Sequence, residues 1–473
     1  MKGESALRAG AKLILTFIIA GFLTTFFLSW LIEFYKYEKK LTSAEAFAKN
    51  LQYIMRTIKE VYPKKLSQIT ISELDKLLSN ARNTKKRKLH PIEAFSLVQP
   101  ALSILDDENL KLSVPNDPIY SVLPFTVKVI DKNIIVSTTA TERIPVGAYI
   151  LAVNGVKKDE LINLLLPYTS GNTYESREQQ LPTLFWLSPE LLWKKKRFVW
   201  IFYNQGEYIV EYLIKNKKKS TKIKTVTLFS YPKLSAQFDA LFSEAPYSFD
   251  RIGNVGIIKI RTFSLSGVSY NKFREFLDNA IVYNKDLDKI VIDIRGSSAQ
   301  EFTIFKEVLE HFIQHPLSVK RNIVLINSAY VLKTLEKYGI DYEKTTGEAI
   351  TTAIIHNFEP RDPNIKAEVW LLFDKYTGNA ALDFAYTFKK LFPGKTIGEP
   401  TLSKINHTTD MFYQFLDGLG SVFYYPTSAF NESDGEKSLE PDIKIEISSK
   451  DRIEYLLSGR DEIIQRALTI VNR

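Results

Sequence analysis

Residues 13–32, LILTFIIAGFLTTFFLSWLI, are twenty consecutive positions without a charge. As a helix they extend about 30 Å, the thickness of a bilayer's hydrocarbon core. Trp30, Phe34, Tyr35 and Tyr37 gather at the far end, followed by Lys36, Lys39 and Lys40, as at a membrane interface. A cleaved signal peptide has a shorter apolar run and a small-x-small cleavage site, and neither is visible. The expectation is an uncleaved anchor over 13–35 after a short tail, 1–12. Lys2, Arg8 and Lys12 precede the run, so lysine and arginine bias leaves its orientation open.

Three patterns follow. Over 36–115 the apolar positions take helical spacing, with Phe47, Leu51, Ile54, Ile58 and Val61 on one face after a capping-box sequence, TSAE, at 42–45. ITISELDKLLSNAR predicts a second helix, and PIEAFSLVQPALSIL a third interrupted at Pro100. Over 116–235 short β runs alternate with turn residues: FTVKVI, NIIVSTT, YILAVNG, FVWIFY and YIVEYLI. The apolar LPTLFWLSPELLW (181–193) reads as core between these regions, with a peptide-binding or membrane-contacting surface as the alternative. From 245 to 473 strands and helices alternate, which predicts a layered α/β domain. Residues 329–368 read as polar loops.

Composition narrows the classes. With 473 residues, 45% apolar and 25% charged, the chain is long enough for several domains of ordinary globular make-up. The net charge of +9 is spread along the chain, with the densest basic runs at 85–88, 194–197 and 217–219. These runs read as solvated loops, or as contacts with anionic phospholipid. No groove-reading or base-stacking motif accompanies them, so nucleic acid is not an expected partner. The absence of cysteine excludes disulfides and thiol catalysis. The five histidines are scattered. His311 and His315 have helical spacing but lack an acidic third ligand, so neither a metal nor another cofactor is expected.

The richest chemistry lies at 369–404. The apolar run 369–373 predicts a buried strand, 375–378 a tight turn, and AALDFAYTFKKL a helix with Ala381, Phe384, Ala385 and Phe388 on one face. Strand, turn and helix start aim backbone N–H groups and one side chain at a common point. The residue at that elbow is Asn379. The segment resembles the tail-specific (C-terminal processing) serine protease family, whose turn reads Thr-x-Ser-Ala-Ala with the serine as nucleophile. Thr377, Ala380 and Ala381 match, and Asn379 stands in the serine's place. In lysine-dependent members a Gly-Glu-x-Thr-x-Gly-Lys motif supplies the base. Gly398, Glu399, Thr401 and Lys404 match it, Ser403 replaces its second glycine, and Lys404 lies 25 positions after Asn379 (404 − 379).

The resemblance extends over 245–465. GNVGIIKIRTF and DKIVIDIRGSSAQ match two core strands, the latter keeping Asp293 and Arg295 but placing Ser297, Ala299 and Gln300 where the family has asparagine and glycines. Glu108, after Asp106 and Asp107, takes the position of a family histidine. The resemblance implies a fold of the ClpP/crotonase-like type, with the bulk of the chain outside the cytoplasm. It also makes Gly296, Ser297, Ser298, Gly378 and Ala380 candidates for the cleft or oxyanion loop. A second resemblance, to a PDZ domain, rests on Gly147, Ile150, Val153, Asn154 and Gly155, followed by a helix. It implies binding of peptide C-termini by strand addition, against the alternative of a β-rich spacer.

Asn379 has no hydroxyl proton to lose and its carboxamide is a very poor nucleophile. The sequence therefore points to a membrane-anchored, catalytically silent protease homologue that binds peptide or unfolded protein tails, or partner proteins. Two alternatives stay open. One is an active serine endopeptidase with a relocated nucleophile, for which Ser403, Thr377 and a His407 base are the nearest groups. The other is a structural envelope component.

Overall fold

A computed structural model describes residues 41–83, 88–115, 117, 120–193, 206–227, 245–263, 265, 267–297, 304–326, 328, 329, 331, 349–361, 366–416, 419–435 and 437–473. The anchor read at 13–35, the β run at 198–203 and Ser298 lie outside them. Among the described residues no helix is long and apolar enough to cross a membrane.

The N-terminal helices are α1 (Ala44–Val61), α2 (Gln68–Arg82) and α3 (Pro91–Ser103). The cap of α1 is Ser43, whose Oγ accepts from Ala46 N at 3.1 Å. Helix α3 runs through Pro100 rather than breaking there. It gives up one backbone hydrogen bond, while its apolar face, with Phe95, Val98 and Leu102, stays buried.

An antiparallel sheet follows. Its main strands are β1 (Phe125–Ile130), β2 (Asn133–Thr139), β3 (Tyr149–Val153), β4 (Glu207–Ile214) and β5 (Lys217–Lys224), ordered β5-β4-β3-β2-β1. Helix α4 (Lys158–Leu165) follows β3. The apolar 181–193 stretch forms short helices whose Leu184, Phe185 and Leu191 are buried against this sheet and the N-terminal helices.

The C-terminal half is layered. Strands β6 (Tyr247–Ile252) and β7 (Val255–Ile260) pair antiparallel. From β7 the sheet continues in parallel through β8 (Lys289–Asp293), then β11 (Glu368–Phe373), β12 (Thr396–Gly398) and β15 (Ile443–Lys444). Helix α5 (Gly267–Val282) crosses from β7 to β8. The parallel strands are apolar on both faces, as a covered sheet requires. Ile258, Ile292, Leu371 and Phe373 pack against α5 and α7 (Asn379–Leu391). Val291, Trp370, Leu372 and Ile397 pack against α9 (Glu462–Val471), which follows α8 (Ser449–Ser458). The short helix α6 (Phe305–Glu310) adds to the first face.

A second sheet contains β9 (Leu317–Ile326), β10 (Ala349–Phe358), β13 (Thr408–Leu416) and β14 (Ser421–Phe430), ordered β10-β9-β14-β13. Strand β10 falls in the stretch read as loops. Residues Lys111–Leu112 also pair with β14, opposite Tyr424 and Phe423. Phe423, Tyr425, Ile323 and Leu325 thereby join one apolar cluster with Phe47, Phe95, Phe125 and Phe185. The N-terminal helices, the first sheet and the second sheet share this core.

Candidate functional site

Strand β11 lies in the interior of the parallel sheet and ends at Phe373, and the turn begins at Asp374. Asp374 Oδ1 accepts from Tyr376 N at 3.1 Å and from Gly296 N at 2.8 Å. Thr377 donates its hydroxyl to Ile294 O at 3.3 Å, and Gly378 N donates to Ser297 O at 3.0 Å. The elbow and the loop after β8 are thus stitched together. Gly398, on the neighbouring strand, has φ +137° and lies so close to Phe373 that a Cβ would fall 1.8 Å from its carbonyl oxygen. Only glycine fits there.

Helix α7 starts at Asn379, which has φ +49° and is almost fully buried. A left-handed non-glycine residue is uncommon, and asparagine is among the few side chains that tolerate it. The elbow therefore keeps its sharp geometry with a carboxamide at its apex.

That carboxamide is engaged. Asn379 Oδ1 accepts from Asn109 Nδ2 at 2.8 Å. Asn109 Nδ2 also donates to Thr408 O at 2.8 Å, and its backbone N–H donates to Asp107 Oδ1 at 2.9 Å. Thr408 Oγ1 donates to the same Asp107 oxygen at 2.8 Å, while Tyr62 donates its hydroxyl to Asp107 Oδ2 at 2.8 Å. Burial first, then the charge of Asp107, raises the Tyr62 pKa well above its ordinary value, so the phenol remains a donor. Three distant segments thus converge on the apex.

Glu108 accepts from Ser403 Oγ at 3.4 Å. Burial raises the Glu108 pKa, opposed by the charge of Lys111, and burial lowers that of Lys111. Lys404 is exposed and forms a β-bridge with Ser438, whereas its neighbours Ser403 and Ile405 are buried. Gly296, Ser297, Gly378 and Ala380 come together around the elbow. The Ser297 hydroxyl is fully buried, with no hydrogen-bond partner among the described residues.

The PDZ-like residues lie on the first sheet. Ile150 is core, and Asn154 and Gly155 turn the chain with φ +50° and +78°. Asn154 Oδ1 accepts from Ile209 N at 2.9 Å. Gly147 has φ +80°, and a Cβ there would touch Leu457 of α8. The elbow turn is reached by other residues: Lys375 pairs with Asp131, in the turn between β1 and β2, at 3.1 Å, and Tyr376 donates to Glu178, on the short helix Tyr174–Glu178, at 3.4 Å. Arg452 of α8 pairs with Asp374 at 3.4 Å and with Glu399.

Residues 254–445 match the family model described as Peptidase family S41. This part of the chain is a peptidase family S41 domain. Among solved structures, mature CPAF aligns with TM-score 0.59 and 14% identity, covering 89% of this chain and 97% of that one. A CPAF point mutant aligns with TM-score 0.60 and 13% identity, over the same shares. At these identities the likeness is one of fold. A photosystem II D1 C-terminal processing protease aligns at TM-score 0.41 and 13% identity, covering 85% and 93%. No curated protein matches the chain.

Within the S41 domain several ionisable groups are structural. Burial alone would raise the Asp293 pKa, but Arg295 and Arg261 outweigh it and hold the carboxylate below its usual range. Arg295 also reaches Asp461, which caps α9. His311 is buried at the end of α6, pairs with Asp278 of α5 at 2.8 Å and hydrogen-bonds to Glu307 O, tying the two helices together. Among the described residues no group of three or more His, Asp or Glu could hold a metal ion.

His407 is buried beside Phe430, with Nδ1 donating to Ile405 O at 3.1 Å. Burial, then the charge of Arg321, pushes its pKa down to about 4. A histidine depressed when folded takes up protons preferentially when unfolded, so its effect on stability appears as pH falls below about 6.5 and saturates near its folded value. Wild-type protein is expected to lose about 2 kcal/mol between pH 7 and pH 5 through this group. The loss is measured by urea denaturation against His407→Gln, which should be flatter over that interval. Parallel curves for the two proteins would assign the acid sensitivity elsewhere.

Proposed function

We propose that this chain is a membrane-anchored, catalytically silent S41-type protein that binds peptide tails or partner proteins. The observation that carries the reading is the hydrogen bond from Asn109 to Asn379 Oδ1 at the elbow's apex. Acyl transfer needs a nucleophile there, a base and an oxyanion pocket. A carboxamide already committed to a buried network supplies the first of these poorly. The turn at Asn154–Gly155, leading into α4, supports a PDZ-like mode in which a tail adds to a sheet edge. The uncharged run at 13–32 supports the anchor, with the bulk of the chain extracytoplasmic.

Two measurements test this. Fluorescently labelled peptides with a free C-terminal carboxylate should bind the full-length protein, read by anisotropy, and be recovered intact. The full-length chain should also remain with membranes after carbonate extraction. Cleaved peptide would contradict silence, and recovery of the chain in the soluble fraction would contradict anchoring.

One observation favours a second reading. Ser403 and Glu108 form a largely buried hydroxyl–carboxylate pair at 3.4 Å, and burial makes Glu108 a stronger base than a solvated glutamate. In an active endopeptidase with a relocated nucleophile, Glu108 would take the Ser403 proton as the hydroxyl attacks the peptide carbonyl. A fluorophosphonate adduct mapped to Ser403 would establish that reading in place of the first.

A further inference from the structure

Among the described residues, a marked concentration of unbalanced charge lies away from the elbow, at the tip of the hairpin formed by β4 and β5. Its turn, Lys215–Asn216, has φ +47° and +59°, the pair of left-handed residues that closes a tight two-residue hairpin. Register is regular from Lys217 opposite Ile214 to Lys224 opposite Glu207. Lys215, Lys217, Lys218, Lys219, Lys222 and Lys224 are all exposed. Among the described residues, Lys218 alone of these has a carboxylate partner, Glu211 at 2.8 Å. Arg143 adds a seventh cation, donating to Lys222 O at 2.6 Å.

Directly opposed residues share a face of the sheet. Ile223 and Tyr208 are buried on one face, so that face meets the core at the base of the hairpin. Nearer the turn, Lys217 and Lys219 lie on that same face and are exposed, while Lys218 lies on the other. The tip therefore projects beyond the body with cations on both sides. A single charge is enough to protect an edge strand from pairing. Three successive lysines on both faces exceed that need.

We propose that this hairpin is an electrostatic docking site for an anionic phospholipid surface. The inference rests on the anchored reading, which brings the chain to a bilayer. Lysines on flexible stems, with no fixed fork of donors, suit mobile headgroups that offer charge but no fixed geometry. The partly buried Leu213 and Ile214 and the half-exposed Ile209 put apolar surface beside the cations. Tyr208 and Tyr212 are buried, so the hairpin presents no aromatic platform for nucleic-acid bases.

The test uses the full-length chain mixed with vesicles of phosphatidylcholine, or of phosphatidylcholine enriched in phosphatidylglycerol. An amine-acetylating reagent and mass spectrometry then read each lysine. Residues 215–224 are expected to be protected several-fold on anionic vesicles only. Protection should vanish in about 1 M salt, where the Debye length is about 3 Å. Replacing Lys217, Lys218 and Lys219 with glutamine should abolish protection of Lys222 and Lys224, since each cation strengthens such binding roughly five-fold. Equal labelling on the two vesicle types would overturn the proposal. So would protection by added RNA or an acidic protein with none by vesicles. Failure of the anchor is separately visible: the chain would then float with anionic vesicles and not with neutral ones, which leaves the hairpin assignment standing.

Discussion

Wild-type protein is expected to show no labelling by serine-directed fluorophosphonates and no cleavage of denatured or C-terminally tagged proteins. Loss of the nucleophile alone costs a serine protease about a million-fold in turnover, which is below detection in either assay. Asn379→Ser restores a hydroxyl at an elbow whose backbone, at φ +49°, still has the required sharpness. The same change removes one acceptor of Asn109 Nδ2, which keeps Thr408 O, so the variant is expected to be about 1 kcal/mol less stable. It also replaces a residue that tolerates left-handed backbone with one that does so less well. Any labelling it regains should be far slower than in a complete site, because Ser297 occupies the position of the family's asparagine. Stoichiometric labelling of wild-type protein at any hydroxyl would end the silent reading.

The largest expected loss of stability comes from Arg321. Its side chain is fully buried on β9, sandwiched between Tyr386 and Phe430 at 4.3 and 4.0 Å from the ring centroids. It pairs with Asp383 on α7 and with Glu432 at 3.1 Å. Glu432 in turn exchanges backbone hydrogen bonds with the Asn406 side chain, in the loop after Lys404. One guanidinium therefore holds the elbow helix, the second sheet and the lysine loop. Arg321→Met removes the cation and leaves Asp383 as an uncompensated buried charge, a change that costs about 3–5 kcal/mol. The double variant with Asp383→Leu should recover part of this, because the stranded carboxylate is gone. Urea denaturation of the three proteins measures the difference. A loss below about 1 kcal/mol for Arg321→Met would mean that the site relaxes or hydrates.

The parallel sheet was legible because its strands are apolar on both faces and bounded by turns. The runs around 255–260, 289–293 and 369–373 each became a strand. The elbow was legible for the same reason, since strand, turn and helix are contiguous there. The runs at 125–130 and 133–139 are both strands. The second sheet was not legible. Strand β10 reads ITTAIIHNF, with threonines, a histidine and an asparagine among its apolar positions, and its partner β9 is over twenty residues away in sequence. Nor does the sequence mark Asn109. It is 270 positions from Asn379, and reaches it only because Lys111–Leu112 pairs with β14. The segment's one sequence signal was the acidic triplet 106–108, aligned with a family histidine. Lys404 keeps the motif spacing, on an exposed bridge to Ser438.

The apolar cluster joining Phe47, Phe95 and Phe125 to Phe423 and Tyr425 bears on how far this protein can be divided. A fragment cut at residue 245 would retain every residue matched to the peptidase family, yet it would expose the aromatic face of β14 to water. It would also lose Asn109, and with it the partner of its own apex residue. The peptidase-family part is thus not a portable module, and experiments on an isolated C-terminal fragment would address a different molecule.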